Sequence, residues 1–399
     1  MPSHSPTSHR FVVVLGLLTG LIAFAIDISR PAIPPMVRDL GASMSTGQQV
    51  VGLFMAGMAV GQLPFGLVTD RIGRLPVLYA GIGLFTAAGI VTAISDDIGV
   101  MLIARFVQGT GSAAGMVLAR AIIRDVSSGA LSAKLMSVMV MVFTAAPMLA
   151  PMIGSWLVTT WNWRWPFGAT AAAGLMLLWG IRKSLHETLV PKVQPHPLQQ
   201  LTEGVREFFS HRRSVFGVLI IMVTIVGIMS LISGSAALIV EIYGIDVKYF
   251  GYLFALTGIA ILLGSTINRR LLQRFDALQM IGLGSAIAGT AGIQLLVMTW
   301  LGDAPFWWIW GNACLYMGAT AFLLPNATAI ALDPVPEIAG TASSLMGTIQ
   351  SMAGAACAIV NSAFYTGTFV NVALVIGAEG IASPLLYLGR RFILTRKPG

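Results

Sequence analysis

Long apolar runs recur from one end of the chain to the other, and this constrains the fold more than any other feature. A bilayer core of about 30 Å is crossed by about 20 apolar residues in helical conformation, because each residue advances a helix by about 1.5 Å. Read between polar breaks, the runs predict spans at 11–33, 47–68, 77–95, 98–119, 134–158 and 165–182. A second set follows at 215–240, 249–267, 278–300, 305–328, 340–364 and 368–388. Only 10% of the 399 residues are charged and 56% are hydrophobic, too little polar surface to coat a soluble globule. An outer-membrane barrel would instead show alternating strands of about ten residues. The expected fold class is therefore an all-α membrane protein with twelve transmembrane helices in two pseudo-symmetric six-helix halves. The run opening at Phe11 resembles a cleavable leader, but it belongs to this regular series and reads as the first span.

The longest polar segment, HETLVPKVQPHPLQQLTEGVREFFSHRR, separates the two sets. It divides the chain into an N-terminal half at 1–185, a cytoplasmic linker at 186–213 and a C-terminal half at 214–399. Its amphipathic piece from Leu198 to Phe209 predicts a short helix lying on the membrane surface. An even number of spans puts both termini on one side. With that side cytoplasmic, only Arg30, Arg38, Arg164 and Lys248 of the 24 Lys and Arg fall outside, and Arg105 alone lies within a span. Such an excess of basic residues on the inner side sets orientation in membrane proteins. It also accounts for the net charge of +8 without a nucleic-acid partner. Lys192, Arg391, Arg396 and Lys397 belong to that inner set. Cys314 and Cys357 both fall in apolar runs, so neither a disulfide framework nor a metal site is expected.

A short repeat links the halves. Gly66-x-x-x-Asp70-Arg71 follows the second run, and Gly264-x-x-x-Asn268-Arg269 follows the eighth. Parallel repeats of this kind mark secondary transporters, which bind substrate at the repeat interface near the midplane.

Within this frame, GLVTDRIGRLPVL (Gly66 to Leu78) resembles the G-x-x-x-D-R-x-G-R loop of the major facilitator superfamily, matching at Gly66, Asp70, Arg71, Gly73 and Arg74. Leu75 stands where the family usually has a further basic residue. Gly66 is expected to let helices approach closely, and Gly73 to permit a turn with positive φ. The resemblance implies that Asp70 faces the start of the eleventh span near Gly340, and that Arg74 pairs with Asp125. LIARFVQGTGSAAG (Leu102 to Gly115) resembles the fourth-span motif, with Arg105, Gln108 and Ser112 on one helix face. AAPMLAPMIGSW (Ala145 to Trp156) resembles the fifth-span motif of the drug:proton antiporter branch, through Pro147, Pro151 and Gly154. The Pro-x-x-x-Pro spacing, with STINRR, SGSAAL and GTASSLMG, is similar to the bicyclomycin and chloramphenicol–florfenicol resistance subgroup. Ala236 replaces the proline usual after Ser235, and Arg30 an apolar residue.

Asp27, in AFAIDISRPAIP, is an acid near the end of the first apolar run. Helix rise puts it about 22 Å above the inner face and Arg105 at about 20 Å, so the two can pair across the N-terminal half. Arg30, one turn on, is the competing partner. An Asp27–Arg105 pair would be a proton-coupling device, since a guanidinium moving toward or away from a carboxylate alters its proton affinity. Glu379 is the other isolated acid in a span, with a direct role or a local hydrogen bond as alternatives. Gln108, Ser112, Gln350 and Asn361 join it as candidates for the substrate cavity.

The function these features imply is export of small amphipathic drugs or metabolites by a proton-coupled secondary transporter working by alternating access. The alternatives are an importer or facilitator, or a membrane-embedded enzyme. The sequence has no nucleotide-binding G-x-x-x-x-G-K-[ST] loop and no metal-ligand spacing on a span. No cofactor is expected, the proton gradient being the driving force. The expected partners are a small-molecule substrate, protons and the lipid bilayer. The expected setting is a monomer in a bacterial-type inner membrane.

Overall fold

The structure, a computed structural model, describes residues 9–127, 129–189, 197–302 and 304–390. Lys192, Arg391, Arg396 and Lys397 of the inner basic set lie outside them. Each apolar run within the described residues is helical. In chain order the helices are α1 (His9–Asp27), α2 (Ile33–Asp39), α3 (Met44–Ile72), α4 (Arg74–Ile94), α5 (Ile98–Val126), α6 (Gly129–Thr160) and α7 (Trp165–Ser184). They continue with α8 (Pro197–Ser210), α9 (Arg212–Ala236), α10 (Val247–Leu271), α11 (Ala277–Leu301), α12 (Phe306–Leu332), α13 (Ala339–Ala363) and α14 (Val370–Leu388). Among the described residues, ten helical runs are long and apolar enough to cross a membrane, so the chain is a multi-pass membrane protein. α6 and α7 stand outside those ten.

Side chains close the helix starts where the sequence supplies an acceptor. Ser43 caps α3 by accepting from the Thr46 N–H, and Asp97 caps α5 by accepting from Val100. Asp276 and Gln279 form a reciprocal capping box at α11. α8 occupies the amphipathic piece of the linker, with Phe208 buried and Phe209 exposed.

Two expectations need correcting. The first apolar run is not one helix: α1 stops at Asp27, a 3-10 turn covers Arg30–Ala32, and α2 follows. Pro31, Pro34 and Pro35 lack the N–H groups a continuous helix needs, and each biases the residue before it away from helix. Gly66 is likewise not a close-packing residue, since a Cβ there would meet only Val117 at an ordinary 3.7 Å. The close approach is made higher on the same helix. A Cβ at Gly57 would run into the Phe106 carbonyl, one at Gly61 into that of Thr110, and one at Gly109 of α5 into that of Phe54. Backbones in contact are the usual basis of helix association in lipid, where no hydrophobic gain separates one apolar surface from another.

The chain forms two compact units. The first holds α1 to α7 together with residues 246–255 at the start of α10, and its centre is α5 packed between α3 and α4. At one end of this unit, Arg164 bonds to the Ser95 carbonyl at 2.6 Å and to Asp96 at 2.6 Å. Beside it, Trp163 donates its indole N–H to Asp39 at 2.8 Å. The second unit holds α8, α9, the rest of α10 and α11 to α14. There Gly217 lets α9 meet the Ala327 carbonyl of α12, and Gly292 lets α11 meet the Ile376 carbonyl of α14. α9 ends not in the proline of the resembled subgroup but in a π-helical turn, Ala237–Ile242.

The α3–α5 contact makes a contrasting pair of outcomes. Gly57→Ala should destabilise the protein by about 1–3 kcal/mol through overpacking, whereas Gly66→Ala should stay within about 0.5 kcal/mol of the parent. Thermal unfolding of the detergent-purified variants measures both, and equal effects would contradict this account of the packing.

Candidate functional site

The break after α1 creates the most unusual environment in the first unit. Asp27 is the last residue of the helix, and Arg30 lies just beyond the break, so the turn brings their side chains together as an ion pair. The side chains are 4% and 1% exposed, respectively. A cation suits the C-terminal end of a helix, where the carbonyls carry partial negative charge. The guanidinium also lies over the Phe254 ring, 4.4 Å from its centroid, while its Nε and Nη1 have no hydrogen-bond acceptor.

The proline-bearing α6 forms the wall behind this turn. Pro147 and Pro151 both lie inside the helix without ending it. A Cβ at Gly154 would collide with the Ile28 carbonyl and approach Pro31 to 2.9 Å, so only glycine lets α6 sit against the break. Ile28, Ala150 and Leu157 form a buried cluster there, with Phe24 and Ala169 packed against it.

Arg105 is fully buried, and its partners are neutral. It donates to Gln108 Oε1 at 2.8 Å, to the carbonyls of Ala25 and Val50 at 3.3 Å each, and to Ser29 Oγ at 3.5 Å. Its guanidinium lies 4.5 Å from the centroid of Phe54. The Asp27–Arg105 pairing expected from depth is therefore replaced by Asp27–Arg30. Matching height does not decide a contact that a residue one turn away can make without crossing the helix bundle. Arg105 instead ties the end of α1 to α5 and α3. Gln108 is also fully buried and passes the connection to α7 by donating to Thr170 Oγ1 at 3.1 Å. Ser112 bonds to the Gly109 carbonyl of its own helix at 2.6 Å. Both are packed into the helix core rather than presented to an open cavity.

The α3–α4 turn holds a second charged group. Arg74 bonds to Asp70 at 2.5 Å and to Asp125 of α5 at 2.8 Å, while Arg71 is exposed. Gly73 adopts φ 115°, a region that a side chain would strain, and the Glu187 carboxylate occupies the space a Cβ would need. Sequence reasoning left Glu187 in the polar linker, although an acid directly after a span is a signal for such a cap. The carboxylate accepts from the backbone N–H groups of Arg74 at 2.9 Å and Leu75 at 3.0 Å, at the unpaired start of α4. It also accepts from Thr188 and Leu189, and Thr188 in turn donates to Asp125 at 3.0 Å. Burial pushes the Glu187 carboxyl up, but the four N–H donors outweigh it and hold it below its ordinary value.

In the second unit, Gln350 is half-buried on α13. Asn361 donates to Ser230 Oγ at 2.7 Å, and its carbonyl accepts from Asn371 at 2.9 Å, so it bridges α9, α13 and α14. Glu379 is 3% exposed, and neither of its oxygens completes a hydrogen bond. No cluster of three metal-ligating side chains occurs among the described residues.

Because the folded state lowers the Glu187 carboxyl, its contribution to stability is present above the unfolded-state value and is lost as pH falls through the folded one. Glu187→Gln should therefore lower the melting temperature at neutral pH, and the gap to the parent should close on acidification below the carboxylate range. A gap independent of pH would refute the cap.

The profile of the Major Facilitator Superfamily matches residues 15–358. The bicyclomycin resistance protein homolog of Haemophilus influenzae is 29% identical over 383 residues, covering 94% of this chain and 95% of the relative. Multidrug resistance protein D of Escherichia coli is 29% identical over 345 residues, 86% of each chain. Among solved structures, a bacterial homolog of the human lysosomal transporter Spinster superposes with a TM-score of 0.74 at 18% identity, over 98% of this chain and 100% of that one. With helices that cross the membrane and a family profile along most of its length, this chain belongs to the Major Facilitator Superfamily of transporters.

Proposed function

We propose that the protein exports small amphipathic compounds, drugs or metabolites, in exchange for protons. In this reading α6 and α7 join the ten apolar runs as spans, giving twelve. The transporter halves are residues 1–185 and 214–399, the linker is 186–213, and both termini are cytoplasmic. The driving force is the proton gradient, and the working unit is a monomer.

The observation that carries the proposal is the buried Asp27–Arg30 pair at the break of the first span. An ionised Asp27 has room for one positive partner. Arg30 fills that place in the structure, and a proton or the donor group of a substrate can replace it. Proton and substrate then exclude one another at the same carboxylate, which is the requirement for exchange rather than co-transport. Arg105 acts as a positioning residue, because its bonds to Ala25 and Ser29 hold both sides of the break. The Asp70–Arg74–Asp125 group, with Gly66, Arg71 and Gly73 in the same loop, serves as the cytoplasmic gate. Pro147, Pro151 and Gly154 shape the α6 wall on which the break bears. Gln350 and Asn361 are candidate substrate contacts of the second half. Relatives named for bicyclomycin and multidrug resistance favour export of antibiotics over uptake.

Inverted membrane vesicles carrying an internal pH dye test this reading with bicyclomycin, chloramphenicol and amphipathic cations as probes. At least one probe should trigger proton release in the parent, and Asp27→Asn should abolish that release. Full proton-driven transport by Asp27→Asn would remove Asp27 from the mechanism. The absence of proton release with every probe would point to a facilitator.

A further inference from the structure

Glu379 lies on α14, which packs against α9 and α11. α11 has no ionisable side chain, and the only charges on α9 are Arg212 and Arg213, about four turns before Gly227. The ionisable groups near the carboxyl are the Tyr316 hydroxyl of α12 and, beyond it, the Cys357 thiol of α13. Both are committed elsewhere: Tyr316 donates to the Thr224 carbonyl at 3.3 Å, and Cys357 to that of Val226 at 3.1 Å. Glu379 thus has no cation beside it, and the Tyr316 hydroxyl within its reach is bonded to the Thr224 carbonyl. A carboxylate taken out of water under those conditions is heavily penalised, whereas the neutral acid is not, so the group holds a proton in this arrangement.

The surroundings are built to bring phenol and carboxyl together. A Cβ at Gly227 would overlap the Tyr316 hydroxyl and come within 3.3 Å of Glu379 Cγ. Glycine at this position therefore keeps the α9 surface open for both groups. We infer that Glu379 is a second proton-binding site, housed within the second unit and independent of Asp27. Uptake converts its carboxylate to the neutral acid. Release returns the carboxylate, which the Tyr316 hydroxyl stabilises by turning from Thr224 to donate to it. Tyr316 is a positioning residue here, because it keeps its own proton throughout. The inference adds to the proton-exchange reading, yet its test needs neither a substrate nor a gradient.

Two measurements on the full-length protein in detergent decide it. The infrared spectrum at neutral pH should contain a protonated-carboxyl stretch that shifts on deuteration, is absent from Glu379→Gln and persists in Asp27→Asn. Potentiometric titration through and above the neutral range should show one proton fewer exchanged by Glu379→Gln than by the parent. Tyr316→Phe keeps the carboxyl but removes the donor that stabilises the carboxylate, so it should raise the pH at which the band is lost, which preserves the test if Glu379→Gln fails to fold. The inference is overturned if the band survives in Glu379→Gln or is lost at the same pH in Tyr316→Phe as in the parent. It is equally overturned if the band is lost while the proton count is unchanged, since Glu379 would then be a permanently neutral structural side chain.

Discussion

Arg30 is paired with Asp27 because it lies one turn on along the same chain, whereas Arg105, the other buried cation of the first unit's core, is held by neutral partners. Removing one member of a buried pair leaves the other uncompensated, at a cost of about 3–5 kcal/mol. The rest of the first unit is arranged around keeping the two together. Residues 27 and 30 are one turn apart, close enough to pair, and Pro31, which has no N–H to return to the helix, breaks it at that point. Gly154 lets α6 bear on the buried carbonyl of Ile28, and Arg105 bonds to the Ala25 carbonyl before the break and to the Ser29 hydroxyl after it. The pair is thus held by backbone geometry and not only by attraction.

Much of this was legible in the sequence. The lengths of the apolar runs follow from bilayer thickness, and the described runs are helical apart from the break in the first. Arg105 and Gln108, three residues apart on one helix face, do bond to each other, and Arg74 does meet Asp125. Such features depend on local periodicity or on a loop string specific enough to identify a family.

What was not legible depends on distances between chain segments. Depth along the membrane normal allowed Asp27 to face Arg105, but rotation about the helix axis is invisible to a depth argument, and the nearer Arg30 prevailed. Gly66 belongs to a family motif, yet the backbone contacts fall at Gly57 and Gly61, which lie outside any motif, and at Gly109 of the fourth-span motif. Glu187 was hidden by its position in a polar segment, since only the fold brings the end of α7 back to the start of α4. Tyr316 had no signal at all, because its importance comes from a glycine on another helix.

The two copies of the short sequence motif carry opposite chemistry. In the first, Asp70 belongs to a charged group with Arg74, Asp125 and, through backbone contacts, Glu187. In the second, the equivalent position is Asn268, buried and bonded at 2.9 Å to the amide of Asn326. A carboxylate cluster responds to protons and to ionic strength, and a pair of carboxamides responds to neither. The reverse holds deeper in each unit, where the acid of the first is ion-paired and that of the second has no partner. Charge is therefore distributed by unit and not duplicated with the repeat. The first unit combines a charged turn with an ion-paired interior acid, and the second combines a neutral turn with an interior acid that has no cation beside it.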